Sequence, residues 1–146
     1  KMGCYLAGGN LTNQNKMSKI GSKIGLLFQI QDDFLDFFGS GKVGKKIGQD
    51  ILENKKTYLF CEFITHAKPK EKKEFISKYN CKKMDPETKI KYVANCFKFL
   101  EIKNKTLLKI EKVKNEIINL ISELNISEIN KKKFTKYILE LSKRTN

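Results

Sequence analysis

Four polar side chains that could bind a metal ion lie close together in the stretch "FQIQDDFLDFFG". They are one amide and three carboxylates: Gln29, Asp32, Asp33 and Asp36. Residues three or four apart share one face of a helix, so this spacing predicts a single polar stripe whose like charges a cation would offset. Carboxylates without a nearby histidine or thiolate suit Mg2+, which commonly takes one or two carboxylates plus phosphate oxygens. We therefore predict Mg2+ as the cofactor of these aspartates.

A glycine- and lysine-rich stretch follows the aspartates directly. Gly39 is predicted to end the helix in a left-handed cap, and the glycines up to Gly48 predict a loop whose backbone can approach a ligand closely. Asp50 is predicted either to orient a metal-bound water or to hold a lysine. Metal and lysines together would stabilise the charge that develops on a diphosphate leaving group. The lysines placed to contact such a group are Lys42, Lys45, Lys46 and Lys55.

The same stretch allows two other interpretations. Three carboxylates on one helix face would also fit a solvated surface. "GSGKVGK", from Gly39 to Lys45, matches the start of a GxxxxGK phosphate loop, but Lys46 stands where Ser or Thr should bind magnesium. That motif also needs a preceding strand, whereas a helix is predicted here. The preceding glutamine and the following lysine loop favour a site for metal and diphosphate over a solvated surface and over a nucleotide-binding loop.

Composition restricts the partners that the chain is expected to bind. The formal net charge is +14, from 30 basic and 16 acidic residues. Nearly all basic residues are lysines, and Arg144 is the single arginine, so the arginine forks typical of nucleic-acid readers are missing. We interpret the excess charge as solvated helix faces and expect no nucleic-acid partner.

Cysteine spacing and hydropathy point to a cytoplasmic protein. The four cysteines form no CxxC pair, which disfavours a zinc site and favours free thiols in a reducing compartment. Apolar runs fall short of the roughly 18 residues that a membrane span requires, so no span is expected.

Apolar residues recur at helical spacing along the chain, which predicts an all-α helical bundle and a single domain over residues 1–146. A long helix is predicted to end at Gly39, a second to run from Gln49 or Asp50 to Lys68, and a third to cover 70–79. Asp85 and Ser127 are predicted to cap two later helices. The apolar positions predicted to face inward on the last two helices are Leu107, Ile110, Val113, Ile117, Leu120, Ile121, Leu124, Ile129, Phe134, Ile138 and Leu141.

"FQIQDDFLDFFG" followed by "GKKIGQDILENK" closely resembles the second aspartate-rich region of the trans-prenyl diphosphate synthases, above all the eukaryotic farnesyl diphosphate synthase type. In that family a glutamine, a DDxxD, a short loop, K-x-G-x-D and a further N-K form one continuous signature. "CYLAGG" and "SKRTN" extend the resemblance towards both ends. It implies an isoprenoid synthase fold, of which these residues form the C-terminal helices, and a homodimer. The matching positions are Gln29, Asp32, Asp33, Asp36, Lys46, Gly48, Asp50, Asn54 and Lys55.

The family joins an allylic diphosphate, such as dimethylallyl or geranyl diphosphate, to isopentenyl diphosphate and releases pyrophosphate. The resemblance implies these substrates here, with farnesyl diphosphate as product in isoprenoid biosynthesis. Asp32 would hold the magnesium that bridges the allylic diphosphate, supported by Asp33 and Asp36 directly or through water. Lys46 would contact that diphosphate, and Gln29 would line the region near the allylic carbocation.

Three further residues receive roles from the resemblance. Asp50 and Lys55 would either support the metal ligands without touching the metal or face the phosphates. Arg144 corresponds to a tail arginine near the isopentenyl diphosphate site. The sequence also departs from the family, since Ser40 replaces a common aspartate and the tail ends in Thr145 and Asn146 instead of basic residues.

The family's first aspartate-rich motif is not found in these 146 residues. We therefore expect a further N-terminal portion and no activity from this stretch alone. Two alternatives stay open. One is a terpene cyclase-like enzyme, against which the K-x-G-x-D continuation argues, and the other is a non-catalytic, basic helical partner subunit.

Overall fold

The computed structural model describes residues 1–39 and 48–143, and all regular structure in these two ranges is helical. Within them, no helix is both long enough and apolar enough to cross a bilayer. The all-α prediction is confirmed. The helices of the described ranges are α1 (Met2–Leu6), α2 (Leu11–Phe38), α3 (Gln49–Leu52), α4 (Tyr58–His66), α5 (Pro69–Tyr79), α6 (Pro86–Phe99), α7 (Ile102–Ser122) and α8 (Glu128–Ser142).

The chain forms two compact units, each with buried apolar side chains. The first consists of Lys1–Gln31 and the chain from Lys109 onward, and the second of Asp32–Leu108. In the first unit, Asn13 is buried and exchanges two hydrogen bonds of 3.0 Å with the backbone of Asn125, which fixes the segment after α7. The buried apolar residues of this unit are Ile20, Leu27, Ile30, Ile110, Val113, Ile117, Ile121, Leu124 and Ile138.

An aromatic cluster fills the second unit, where α6 contacts α3, α4 and α5. Phe75 is completely buried, and its ring centroid lies 4.1 Å from that of Phe63 and 5.4 Å from that of Tyr79. Aromatic pairs at such separations add stability beyond their buried area. The buried aromatic members of the cluster are Phe60, Phe63, Phe75, Tyr79 and Phe97.

Local sequence signals set several helix ends as predicted. Asp85 caps α6 by accepting the backbone N–H of Thr88 at 2.9 Å, and Pro86 occupies the first position. Ser127 accepts the N–H of Asn130 and starts α8. The helix predicted over 70–79 is confirmed as α5.

The helix predicted from Gln49 to Lys68 is wrong, because it is two helices. α3 ends after Leu52, and α4 begins only at Tyr58. Asn54 adopts the left-handed region, with a φ of 57°, which no helix can continue through. Thr57 then caps α4 through the N–H of Phe60.

The left-handed cap predicted at Gly39 is also wrong. In the described residues, positive φ among glycines occurs at Gly8 and Gly48. Gly39 instead approaches the carbonyl of Leu35 so closely that an added Cβ would lie 2.4 Å from its oxygen. Because there is no space for a Cβ, this position requires glycine.

Two residues predicted to face inward are exposed. Leu107 keeps 37% of its surface and Ile129 keeps 68%. On α7 the buried stripe passes through Ile102, Thr106 and Ile110, which puts Leu107 one position beside it. Thr106 is tolerated in the stripe because its hydroxyl donates to the carbonyl of Ile102 at 2.8 Å.

The aromatic cluster makes a stability prediction. Phe75→Ala should lower the free energy of unfolding by about 3 to 5 kcal/mol, because it leaves a cavity among packed rings. Phe99→Ala is the matched control, since Phe99 is 73% exposed, and it should change stability by less than about 0.5 kcal/mol. Urea unfolding of the full-length protein measures both, and equal effects would contradict the placement of Phe75 in the core.

Candidate active site

The three aspartates of α2 lie in different environments. Asp32 is exposed, Asp33 keeps only 6% of its surface and Asp36 is half-buried. Gln29, on the same helix, is exposed. The sequence predicted one common polar stripe, whereas the structure exposes Asp32 and buries its neighbour. A buried carboxylate needs hydrogen-bond donors, and the segments that follow α2 in the chain provide them.

Asp33 fixes the start of α4. Its Oδ2 accepts the backbone N–H of Tyr58, the first residue of that helix, at 2.6 Å. The first N–H groups of a helix lack partners within the helix, and the positive end of the helix dipole favours a negative charge there. Asp33 therefore joins α2 to α4 across 25 residues of sequence.

Asp36 fixes the start of α3 in a similar way. Its Oδ2 accepts the backbone N–H of Asp50 at 3.2 Å, and its backbone carbonyl accepts the N–H of Gly48 at 2.9 Å. Gly48 has a φ of 79°, and an added Cβ would lie 3.4 Å from the side chain of Ile90. The backbone angle therefore favours glycine at this position, while a Cβ would make only an ordinary van der Waals contact with α6.

Asp50 holds a lysine, which is one of the two roles that its sequence position predicted. Its carboxylate pairs with the ammonium of Lys55 at 2.7 Å, and Glu53 pairs with the same ammonium at 2.8 Å. The hydrogen bonds that the Lys55 ammonium donates to Asp50 and then to Glu53 raise the pKa of Lys55 above its ordinary value. Those that Glu53 accepts from Lys55 and Gln49 lower the pKa of Glu53. Lys55 is therefore a fixed cation, and half of its side chain is exposed.

Several residues with predicted roles lie outside the described residues. They belong to the stretch 40–47 and to the last three residues, and for them the contacts with diphosphates stay predictions. The interpretation as a nucleotide-binding phosphate loop is further disfavoured, because α2 directly precedes this stretch where that motif needs a strand. The residues concerned are Lys42, Lys45, Lys46 and Arg144.

The donor set fits a metal shared with a phosphorylated ligand. Among the residues that the structure describes, no three His, Cys, Asp or Glu side chains are grouped closely enough to enclose a metal ion. Mg2+ often binds through one or two carboxylates and completes its shell with water and phosphate oxygens. The exposed carboxylate of Asp32, one turn from Asp36 on α2, suits that mode, whereas an all-protein cage does not fit.

Two residues that support the site, Tyr79 and Lys89, were not predicted to do so. The hydroxyl of Tyr79 donates to the carbonyl of Lys55, and the ammonium of Lys89 donates to the side chain of Asn54. Lys89 did leave a signal in the sequence, because it stands four residues before Val93 on the apolar side of α6, where a lysine is unusual. Tyr79 left none, because a tyrosine in an apolar stripe is ordinary.

Comparison with known proteins agrees with this geometry. The family model described as polyprenyl synthetase matches residues 1–97, which is most of the chain. The chain belongs to the polyprenyl synthetase family. A solved structure titled as a geranylgeranyl pyrophosphate synthase superposes with a TM-score of 0.85 and 32% identity, covering 99% of this chain and 46% of that one.

Curated relatives carry the name farnesyl pyrophosphate synthase. The mouse protein is 32% identical over 121 residues, covering 82% of this chain and 33% of its own length. The rat protein is 35% identical over 102 residues, covering 68% of this chain and 28% of its own length. The protein of Nezara viridula is 40% identical over 94 residues, covering 64% of this chain and 23% of its own length. The matched region thus spans about a third or less of these farnesyl pyrophosphate synthases.

Adjacent aspartates should respond differently to substitution. Asp33→Ala should lower the free energy of unfolding by about 1 to 3 kcal/mol, because it leaves the partly buried N–H of Tyr58 without its charged acceptor. Asp32→Ala, the matched control from the same helix, should change it by less than about 0.5 kcal/mol. Denaturant unfolding of the full-length protein in metal-free buffer checks both values. A loss in Asp32→Ala as large as that in Asp33→Ala would refute this difference.

Proposed function

We propose that the protein carrying this chain is a Mg2+-dependent prenyl diphosphate synthase. It condenses an allylic diphosphate, dimethylallyl or geranyl, with isopentenyl diphosphate and releases pyrophosphate. Farnesyl diphosphate is the proposed product, since several relatives are named for that activity. The observation that carries the proposal is the exposed Asp32 on a helix whose neighbouring carboxylates, Asp33 and Asp36, hold the following segments in place.

Lys55 supports the binding of a diphosphate in this proposal. An ammonium has three N–H donors, and two of the Lys55 donors face Asp50 and Glu53. The third donor can reach a phosphate oxygen from a half-exposed position. Because both pairing carboxylates favour the charged form, Lys55 remains a cation while it faces the leaving group.

Each remaining residue has a defined task in the proposed reaction. Mg2+, when bound through Asp32, supplies Lewis-acid stabilisation of the diphosphate leaving group. Asp33 and Asp36 support that site, Asp33 by holding the start of α4 and Asp36 by holding the start of α3. Gln29, three residues before Asp32 in the sequence, lines the region where the allylic carbon reacts. Lys46 contacts the same diphosphate, and Arg144 contacts isopentenyl diphosphate.

The proposal extends to assembly and location. The protein acts as a homodimer, as the family resemblance implies. It works in the cytoplasm, which is supported by the four cysteines, all free thiols of the kind that a reducing compartment maintains.

The experiment uses the full-length protein with geranyl diphosphate, isopentenyl diphosphate and Mg2+, with products read by mass spectrometry. Farnesyl diphosphate is the expected product, and chelation of Mg2+ should abolish it. Asp32→Ala should reduce turnover on the order of a hundredfold or more, because the charge on the leaving group loses its metal. Glu87→Ala removes an exposed carboxylate from α6 and serves as the control with unchanged turnover.

Other results would redirect the proposal. Consumption of the allylic diphosphate without isopentenyl diphosphate, giving a hydrocarbon or an alcohol, would indicate a terpene cyclase. No consumption by a folded sample would indicate the non-catalytic partner subunit. Full turnover in Asp32→Ala would remove the assigned role of that residue.

A further inference from the structure

The turn that carries Lys55 has an unusual backbone. Residues Glu53 and Asn54 follow α3, and Asn54 has a φ of 57°. Left-handed backbone costs free energy for residues other than glycine, although asparagine tolerates it better than most, so the groups that hold Asn54 help to stabilise the turn. Local hydrogen bonds contribute, since the N–H of Lys55 donates to the carbonyl of Asp50 at 2.9 Å.

A buried tyrosine holds this turn from α5. The hydroxyl of Tyr79 donates to the backbone carbonyl of Lys55 at 2.6 Å. Tyr79 is completely buried, and its ring centroid lies 4.8 Å from that of Phe60 and 5.4 Å from that of Phe75. The packed ring holds the hydroxyl in place, and the hydroxyl in turn holds the backbone carbonyl of Lys55.

A buried lysine holds the same turn from α6. Lys89 keeps 3% of its surface, and its ammonium donates to the side-chain oxygen of Asn54. The same ammonium lies 5.4 Å from the ring centroid of Tyr79. The amide oxygen of Asn54 is therefore a hydrogen-bond acceptor for this buried ammonium. Two buried groups, 24 and 35 residues away in sequence, thus anchor this turn.

We propose that Tyr79 is a positioning residue for diphosphate binding, which acts by holding the backbone of Lys55 so that its ammonium stays between Asp50 and the ligand. The inference rests on the proposed function, because it assumes that Lys55 faces a diphosphate. Tyr79 itself touches neither ligand nor metal. Its effect passes through one main-chain hydrogen bond, and displacing a positioned charge weakens the hydrogen bond and the attraction that it makes with an anionic ligand.

The test measures inorganic pyrophosphate binding to the full-length protein in Mg2+ by calorimetry. Tyr79→Phe removes the hydroxyl and keeps the ring, so the aromatic packing is preserved. Tyr92→Phe is the control, because it removes a hydroxyl from a half-buried tyrosine whose partner is Cys96 and not the turn. Each substitution is made in the native background and in Lys55→Ala, and thermal unfolding is recorded for all.

Tyr79→Phe should weaken pyrophosphate binding by about three- to tenfold in the native background, the equivalent of one lost hydrogen bond. It should have no effect on binding in the Lys55→Ala background, and Tyr92→Phe should have none in either. A merely structural Tyr79 would lower the unfolding temperature with unchanged affinity, and that result would overturn the inference. Equal weakening of pyrophosphate binding by Tyr79→Phe in both backgrounds would also overturn the inference.

The proposed function can fail separately in the same experiment. If the native protein binds no pyrophosphate in Mg2+, the proposed function is refuted together with the inference. If it binds pyrophosphate, and Lys55→Ala weakens binding while Tyr79→Phe does not, only the inference is refuted.

Discussion

The carboxylate of Asp33 accepts the backbone N–H of Tyr58, and the arrangement of the site depends on that bond. It places the start of α4 against α2, while Asp36 places the start of α3 against the same helix. Between these two anchors runs the turn with Asn54 and Lys55. Lys55 is the only lysine among the described residues with a proposed ligand contact. Its position therefore follows from two carboxylates to which the sequence motif alone would assign metal binding.

Three neighbouring carboxylates are tolerated on one helix because their charges are offset in different ways. Asp33 and Asp36 face backbone N–H groups at the starts of helices, where partial positive charge is concentrated. Asp32 faces solvent, where water screens its charge until a cation binds. The cost of repulsion is thus reduced before any metal arrives, and one carboxylate is left accessible.

The sequence predicted the features that depend on local chemistry. Asp85 and Ser127 start their helices because a side-chain oxygen reaches an N–H three residues later, which spacing alone reveals. The prenyl synthase family was also recognisable, because its signature is continuous from Gln29 to Lys55. These predictions needed no knowledge of distant contacts.

Features that depend on distant partners could not be predicted. The break between α3 and α4 requires a left-handed Asn54, which is held by Lys89 and by the bond from Tyr79 to the next residue. The burial of Asp33 requires the N–H of Tyr58, which lies 25 residues away. Nothing in the spacing of the aspartates distinguishes the carboxylate that stabilises the fold from the one that stays exposed.

A crystal structure of the full-length protein with Mg2+ and pyrophosphate would test the central claim most directly. The account predicts a magnesium ion bound to Asp32 and to pyrophosphate oxygens, while Asp33 keeps its hydrogen bond to Tyr58 and Lys55 contacts a phosphate oxygen. A metal ion bound by Asp33, with that hydrogen bond broken and Asp32 left in solvent, would contradict the account.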